Sequence, residues 1–159
     1  MISMISSMGK NRELGRKNDL IWHIPKDMKF FKNTTMGHTV VMGKNTYNSL
    51  PGDLPGRKMI VLSTSAVLDN VEVVRDKKEI LDRYLDTEEE IFIIGGASVY
   101  EQFIDYADNL YITLIDASCD DADTFFPKFN INEWNEEIID TGMYNDISFK
   151  ICKYERKKW

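Results

Sequence analysis

The chain has few of the residues that build disulfide or metal sites. Its 159 residues include two cysteines, Cys119 and Cys152, and two histidines, His23 and His38. The cysteines lie far apart and form no CxxC pair, so neither a disulfide framework nor a zinc site is predicted, and both thiols are expected to be reduced. The histidines have no suitably spaced cysteine or histidine partner, so no metal site is predicted.

Long apolar runs and an excess of basic charge are also missing. No stretch approaches the roughly 20 apolar residues that cross a bilayer, and residues 1–8 lack the basic lead of a secretion signal. These features predict a cytoplasmic protein with no membrane partner. Acidic residues outnumber basic ones by 26 to 20, which argues against a nucleic-acid partner.

The apolar residues that are present suffice for one substantial core. They make up 43% of the chain, and 11% of the residues are aromatic. Short apolar runs typical of strands alternate with segments of helical spacing. The predicted strands span 2–8, 39–42, 59–63, 71–74, 91–94 and 110–115, and the predicted helices span 26–32, 45–50, 77–85 and 98–104. This alternation predicts one α/β domain over residues 1–159, with a mostly parallel central sheet and helices on both faces.

The C-terminal part has a different pattern. Residues 134–140 and 147–154 alternate between apolar and polar side chains around a predicted turn at 142–146. This pattern predicts an antiparallel hairpin at the edge of the sheet. No internal repeat or flexible linker divides the chain.

Asp27 is a lone carboxylate in a largely apolar stretch. A helix is expected to begin at Pro25, because proline needs no backbone donor in the first turn. If the helix turns Asp27 towards an apolar pocket lined by Trp22, Met28 and Phe31, its desolvation costs several kcal/mol unless a ligand with paired N–H donors binds it. The alternative is a first-turn acid that faces water and stabilises the helix dipole.

Glycine follows two predicted strands at points where helices are expected to begin. Gly43 precedes Lys44, and Gly95 and Gly96 form the second junction. Ligands of parallel α/β sheets bind beyond the carboxyl ends of the strands, and helix N-termini suit phosphate groups. Neither junction matches GxGxxG or GxxxxGK[ST]. Glycine that serves chain geometry alone is the alternative interpretation of each junction.

Taken in order, these segments closely resemble the bacterial dihydrofolate reductase family over essentially the whole chain. The resemblance includes an opening strand that ends in Gly15 after a loop, and motifs at 20–22, Pro25, Asp27, 35–38, 41–46, 49–50, 54–57, 94–96, Tyr100, 111–113 and 123–127. It implies hydride transfer from NADPH that reduces 7,8-dihydrofolate to tetrahydrofolate. It also implies a monomer that diaminopyrimidine or pteridine antifolates inhibit.

The resemblance implies that Asp27 takes part in catalysis. Its carboxylate is expected to accept hydrogen bonds from the pterin 2-amino group and a ring nitrogen. Its charge is expected to favour protonation of N5 by a water, because the carboxylate itself cannot reach N5. Thr113 is expected to hydrogen-bond Asp27 from a neighbouring strand, and Leu20, Trp22 and Tyr100 complete the implied catalytic set.

By the same resemblance, the substrate lies in a largely apolar cleft. The implied lining consists of Ile5, Ser6, Asp27, Met28, Phe31, Ser49, Leu50, Leu54, Ile94 and Thr113. Arg57 is expected to pair with the α-carboxylate of the substrate's glutamate, because a planar guanidinium binds a carboxylate through two hydrogen bonds. Lys32 is expected to add charge near the same glutamate. Without the resemblance, the apolar residues are ordinary core and Arg57 is a surface loop residue.

The resemblance also implies an NADPH site built from several loops. The nicotinamide is expected beside Ser7, Gly15, Asn18 and Leu20, and the pyrophosphate at two helix N-termini that comprise Gly43, Lys44, Asn45, Thr46, Gly95, Gly96, Ala97, Ser98 and Val99. Ser63 and Thr64, at the end of the strand that begins at Met59, are expected beside the 2′-phosphate, and Leu62, Ile94 and Tyr100 complete the implied set. The family joins the two glycines at 95 and 96 by a cis peptide, and residues 9–24 correspond to a mobile loop that closes over the nicotinamide.

Three positions depart from the family pattern. Ile21 stands where proline is common, which predicts a less rigid loop before Trp22. Lys44 and Asn45 replace a more basic pair, and Ser98 stands where a basic residue can assist. With Lys44 as the single predicted cation at the 2′-phosphate, a modest preference for NADPH over NADH is predicted.

Two other functions are compatible with parts of the sequence. One is the reductase of riboflavin synthesis, which acts on a ribosylated pyrimidine and shares the fold. That class usually lacks the pairing of Trp22 and Asp27. The other is a non-catalytic nucleotide-binding module, which has no need for Asp27, Thr113 and Arg57 together.

Overall fold

The computed structural model describes residues 1–52 and 54–158, so Asp53 and Trp159, which the predicted domain includes, lie outside the described residues. Eleven strands and four α-helices make up this part of the chain. The strands are β1 (Ile2–Met8), β2 (Glu13–Arg16), β3 (Asp19–Leu20), β4 (Thr39–Gly43), β5 (Lys58–Leu62), β6 (Glu72–Val74), β7 (Ile91–Gly95), β8 (Asn109–Ile115), β9 (Thr124–Phe125), β10 (Trp134–Tyr144) and β11 (Ile147–Arg156). The helices are α1 (Pro25–Thr35), α2 (Lys44–Ser49), α3 (Lys77–Tyr84) and α4 (Ala97–Phe103).

Eight strands form the central sheet in the order β10-β11-β8-β1-β7-β4-β5-β6. The six strands from β8 to β6 run parallel, and β11 and β10 are antiparallel additions at one edge. Residues of α1 and α2 pack on one face with Ile5 and Phe92. Residues of α3 and α4 pack on the other face, where Ile80 and Phe103 are fully buried. The predicted fold class is therefore confirmed.

The C-terminal hairpin is present, but its turn is shorter than the predicted range of 142–146. The turn consists of Asn145 and Asp146 alone, both with positive φ angles of 49° and 63°, which suits a two-residue hairpin turn. Gly142 lies inside β10 opposite Phe149, and a Cβ at Gly142 would approach the Phe149 ring to 2.5 Å. This glycine is explained by close packing of an aromatic ring and not by a turn.

The sequence pattern did not predict a second, three-stranded sheet. This second sheet has the strand order β3-β2-β9. It joins residues 9–24, which are called the lid segment below, to the part of the chain that follows β8. The opening strand ends at Met8, and Gly15 lies within β2. Strands of 2 to 4 residues are too short to show a period of two, which explains why the pattern did not indicate them.

Candidate active site

Asp27 lies in the first turn of α1 and faces β8. Its Oδ1 atom accepts a hydrogen bond of 2.5 Å from the Thr113 hydroxyl, as predicted. Desolvation raises the pKa of Asp27, and the Thr113 hydrogen bond offsets part of that rise. Within residues 1–52 and 54–158, neither a cation nor a second protein donor contacts the carboxylate. The site therefore disfavours the charged form of Asp27 unless an additional donor approaches its other oxygen.

The predicted substrate-lining residues divide into two groups. The side chains of Ile5, Phe31, Leu50, Leu54 and Ile94 belong to one apolar cluster on the α1 side of the sheet. The sheet and helix thus bring these five together beside the carboxylate-bearing turn.

The second group does not share that packing. Trp22 packs with a separate apolar cluster around Ile24 and Phe149. Met28 is 55% exposed and Leu20 is 48% exposed. Trp22, Met28 and Phe31 therefore do not belong to one buried cluster, and an apolar pocket lined by these three side chains stays a prediction. Contact of Met28 and Leu20 with a ligand stays a prediction.

Tyr100 and the glycine pair at the end of β7 form a compact unit. The buried Tyr100 hydroxyl donates a 2.7 Å hydrogen bond to the Ile5 carbonyl. Burial raises the pKa of Tyr100, as does the charge of Asp27, so the phenol stays protonated. The Gly95–Gly96 peptide is cis, as the resemblance implied. The hydrogen bond connects Tyr100 to β1, and the Tyr100 ring lies 3.4 Å from the position of a Cβ on Gly95 at the end of β7.

The two glycine junctions lie side by side, because β4 and β7 are neighbours in the sheet. A Cβ at Gly43 would lie 3.1 Å from the Val99 side chain, and one at Gly96 would lie 3.5 Å from the Thr46 hydroxyl. Neither α2 nor α4 has an acidic residue in its first turn, and neither has a side-chain N-cap. Backbone N–H groups of both helices are therefore available to one anionic ligand.

A second cluster of polar groups follows the ends of three adjacent strands. In the sheet register, Gly43 pairs with Leu62 and Leu62 pairs with Val74. The next residue of each strand is Lys44, Ser63 or Arg75, so these three leave the sheet in neighbouring positions.

Arg75 is a residue of this cluster that the sequence analysis missed. Its Nη1 atom donates to the Ser63 carbonyl at 3.1 Å and to the Ala66 carbonyl at 2.8 Å. The Ser63 hydroxyl oxygen accepts the Ala66 N–H at 3.0 Å. The turn that carries Ser63 and Thr64 is thus held by a guanidinium. Two cations, Lys44 and Arg75, thus follow the strands on either side of the one that precedes Ser63.

Arg57 precedes β5, and its side chain contacts the C-terminal end of α1. Lys32 belongs to the same end of that helix. Its guanidinium donates to the Pro55 carbonyl at 3.2 Å and to the Thr35 hydroxyl at 3.3 Å. Desolvation lowers the pKa of Arg57. No carboxylate of the described residues pairs with it. A partly desolvated guanidinium held by neutral acceptors is suited to an external carboxylate.

The lid segment lies against the loop 116–123, which joins β8 to β9. The Asp123 N–H donates to the Gly15 carbonyl at 3.0 Å, and the Lys17 N–H donates to the Asp123 carboxylate at 2.8 Å. Arg16 pairs with Asp121 at 2.9 Å. These contacts fix Asn18 and the strand β3 relative to the carboxyl end of β8. The remaining predicted residues at this edge, Ser6 and Ser7, are partly buried in β1, and Ser49 is exposed at the end of α2.

The part of the chain that the structure describes has neither a side-chain cluster suited to a metal ion nor a helix suited to spanning a membrane. No group of three or more histidine, cysteine, aspartate or glutamate side chains there is arranged to hold a metal ion. No helix in residues 1–52 and 54–158 is long and apolar enough to cross a membrane.

Comparison with known proteins gives consistent matches over the whole chain. A family model described as dihydrofolate reductase matches residues 1–156. Dihydrofolate reductase of Bacillus subtilis is 37% identical, over 99% of this chain and 95% of that protein. The enzyme of Staphylococcus haemolyticus is 33% identical, over 98% and 95%. A solved structure, described as dihydrofolate reductase from Enterococcus faecalis complexed with NADP(H) and RAB-propyl, matches with a TM-score of 0.89 and 29% identity, over 99% of this chain and 97% of that one.

Proposed function

This chain belongs to the dihydrofolate reductase family. We propose that its NADPH-dependent reduction of 7,8-dihydrofolate to tetrahydrofolate takes place beside Asp27, near the carboxyl end of β8. The two alternatives compatible with the sequence, a pyrimidine reductase of riboflavin synthesis and a non-catalytic nucleotide binder, gain no support from these matches. The single observation that carries the proposed site is the desolvated Asp27 carboxylate, which is held on one oxygen by Thr113.

Asp27 orients the substrate and favours its protonation. A pterin presents a 2-amino group and a ring N–H side by side, and this donor pair matches the two oxygens of a carboxylate. Binding the donors supplies the hydrogen bonds that Asp27 lacks within the described residues, which favours the charged carboxylate and opposes the rise in its pKa. The negative charge then stabilises a proton on N5, which a water delivers.

The residues at the strand ends fit the phosphates of NADPH. The adjoining N-termini of α2 and α4 offer backbone donors without an acidic neighbour in either first turn, which suits the pyrophosphate. Lys44, Ser63 and Arg75 offer two positive charges and a hydroxyl for the 2′-phosphate. When bound, NADPH supplies the hydride. Leu20 and Asn18 of the lid segment and Ser7 of β1 are proposed to flank its nicotinamide and exclude water.

Arg57 is proposed to bind the α-carboxylate of the substrate's glutamate, with Lys32 contributing charge. Ser6, Met28, Ser49, Leu50 and Leu54 are proposed to line the path between that carboxylate and the pterin. Diaminopyrimidine and pteridine antifolates carry a 2-amino group beside a basic ring nitrogen, which offers an equivalent donor pair once it is protonated, and we propose that they bind Asp27 in the same way. The monomeric state and the cytoplasmic location are likewise proposals.

The test is a steady-state assay that follows the loss of absorbance at 340 nm with NADPH and dihydrofolate. The wild type is expected to turn over both compounds, and Asp27→Asn is expected to bind NADPH normally while losing most of its turnover. A wild type that oxidises NADPH with a ribosylated pyrimidine and not with dihydrofolate would contradict the proposal.

A further inference from the structure

Glu13 is a buried carboxylate in the lid segment that the proposed mechanism does not use. It lies in β2 and is 1% exposed. Its Oε1 atom accepts the Asn11 N–H at 2.7 Å, and its Oε2 atom accepts the Cys119 N–H at 2.7 Å. No lysine, arginine or histidine of residues 1–52 and 54–158 pairs with it. Backbone N–H groups therefore balance this charge.

Stability of the chain does not by itself explain a charge at this position. A buried carboxylate loses its hydration, and an apolar side chain of similar volume would fill the space without that cost. Desolvation raises the pKa of Glu13, but the N–H groups of Glu13 itself, Cys119 and Asn11 together lower it below its usual value. A buried charge held in this manner favours the one conformation in which its donors converge.

The hydrogen bonds of Glu13 join two segments that are distant in sequence. Asn11 belongs to the lid segment, whereas Cys119 belongs to the loop 116–123 that follows β8. The Arg16–Asp121 ion pair also joins these segments. Its side chains are 47% and 70% exposed, so solvent screens the attraction between the two charges. Backbone hydrogen bonds from the Lys10 N–H to the Ala117 carbonyl and from the Asp123 N–H to the Gly15 carbonyl also join the two segments. The contact of Glu13 with the Cys119 N–H differs from these connections because it uses a buried, charged side chain.

Gly9 shows that this connection also reaches Trp22. A Cβ at Gly9 would lie 2.6 Å from Trp22 Cη2, 2.7 Å from Glu13 Oε1 and 2.8 Å from the Ala117 carbonyl oxygen. The carboxylate, the indole and the loop 116–123 therefore meet at one point. Trp22 is two residues after Leu20, which we place at the nicotinamide. Movement of Trp22 away from Glu13 and the loop 116–123 would therefore displace the part of the lid segment that covers the cofactor.

We propose that Glu13 is a positioning residue for the hydride-transfer step: by holding the Cys119 N–H it fixes the lid segment against the loop 116–123 and so places Leu20 and Asn18 over the nicotinamide. This inference rests on the proposed function, because it assumes that the lid segment covers NADPH. It assigns to Glu13 no contact with the substrate, the cofactor or the reacting atoms.

The test compares Glu13→Leu and Glu13→Gln with a matched control. Asp108→Ala is suitable as the control, because the Asp108 carboxylate accepts the Ile2 N–H at 2.9 Å at the opposite end of β1. The variants are loaded with saturating NADPH and mixed with dihydrofolate, and the single-turnover rate of hydride transfer is measured. NADPH affinity, dihydrofolate affinity and urea unfolding are measured in parallel.

Glu13→Leu is expected to slow hydride transfer by about 10-fold or more and to weaken NADPH binding, since a hydrogen bond to a charged group is lost. Dihydrofolate affinity is expected to stay within about 2-fold, because Asp27 and Arg57 are untouched. Glu13→Gln retains one acceptor oxygen, so its hydride-transfer rate is expected to lie between those of Glu13→Leu and the wild type. Asp108→Ala is expected to change unfolding and not hydride transfer. Hydride-transfer rates in both Glu13 variants that equal that of the wild type, or that merely follow the loss of stability as in Asp108→Ala, would overturn the proposal.

Amide hydrogen exchange tests the contact without relying on activity. The Cys119 N–H is expected to exchange about 10-fold or more faster in Glu13→Gln than in wild type. The Asp116 N–H, which donates to the Ser148 carbonyl at 2.9 Å, is the internal reference and is expected to be unchanged. Because glutamine replaces one of the two acceptor oxygens, wild-type exchange of both the Cys119 N–H and the Asn11 N–H in Glu13→Gln would contradict the proposal, even if Glu13→Leu fails to fold. A wild type without reductase activity would instead contradict the proposed function.

Discussion

Replacement of Asp27 by asparagine should separate the stability of this protein from its activity. The carboxylate is desolvated, and within the described residues Thr113 is its one hydrogen-bonding protein partner. Asparagine has nearly the same shape but no charge. It is therefore expected to fold with the same Thr113 contact, while the negative charge that favours protonation of N5 is gone.

The expected loss of activity follows from the role of the charge. A positioned acid–base group contributes about 10²- to 10⁴-fold to a rate, and kcat in Asp27→Asn should fall by that order at pH 7. Part of the activity should return as the pH is lowered, because solvent then protonates the substrate without help. The measurement is kcat and kcat/KM at 340 nm from pH 5 to 9. Near-normal turnover of the variant at pH 7 to 8 would refute the role of Asp27.

The expected change in stability has the opposite sign. Because desolvation raises the pKa of Asp27 above its usual value of 3.8, the native state binds this proton more tightly than the unfolded chain does. Wild-type stability therefore falls as the pH rises from 3.8 through the raised pKa, and it stays lower above that value. Asp27→Asn lacks this penalty and should be more stable at pH 7, by about 0.5–2 kcal/mol. Urea unfolding of the ligand-free proteins at pH 4 and pH 7 measures the difference, and a variant less stable than wild type at pH 7 would contradict the reasoning.

Three further predictions test the other contacts of the site. Arg57→Ala should weaken dihydrofolate binding by about 2–4 kcal/mol and should have little effect on a dihydropterin without the glutamate tail; equal losses for both ligands would place Arg57 outside the tail site. Lys44→Ala should raise the KM for NADPH roughly tenfold and leave that for NADH unchanged, and adding Arg75→Ala should multiply the effect in low salt and less in high salt; an unchanged NADPH/NADH ratio in the double variant would remove both cations from the 2′-phosphate site. Thr113→Val should raise the pKa of Asp27 further, because it removes the hydrogen bond that lowers it, and a pH profile of ligand binding that matches wild type would contradict this.

The parts of the fold that the sequence predicted are those with enough consecutive residues to show a pattern. The strand at 2–8 was predicted to the residue, because seven largely apolar residues end at a glycine. The helix with Asp27 begins at Pro25 as predicted, although it continues to Thr35. Where the sequence has two to four residues per strand, as in β2, β3 and β9, neither period nor length gives a signal.

The hairpin turn shows that local chemistry can be misinterpreted even when it is present. Glycine favours turns, so Gly142 was taken as part of one. The adjacent Asn145 and Asp146 tolerate positive φ and carry the turn alone. What decides the role of Gly142 is the ring of Phe149 on the opposite strand, which is a tertiary contact.

Arg75 could be predicted only from strand register. Its neighbours in sequence give it the character of an ordinary surface charge after a short strand. Its place beside Ser63 follows from the pairing of Leu62 with Val74, and its place near Lys44 follows from the pairing of Gly43 with Leu62. The family resemblance predicts the site residues that match a motif. Arg75 matches no motif, and strand pairing in the sheet reveals its position.

Glu13 is the extreme case of this dependence on tertiary structure. As one of 26 acidic residues, it has no local mark that distinguishes it, and an acidic residue is by default exposed. The donor that accounts for its burial is the N–H of Cys119, 106 positions later in the chain. Together with the nearby Asn11 N–H, this donor stabilises a buried charge that departs from the ordinary burial pattern, and such a departure is typical of a functional constraint. For that reason the buried carboxylate, and not the exposed ion pair of Arg16 with Asp121, is the contact whose loss is expected to change the hydride-transfer rate.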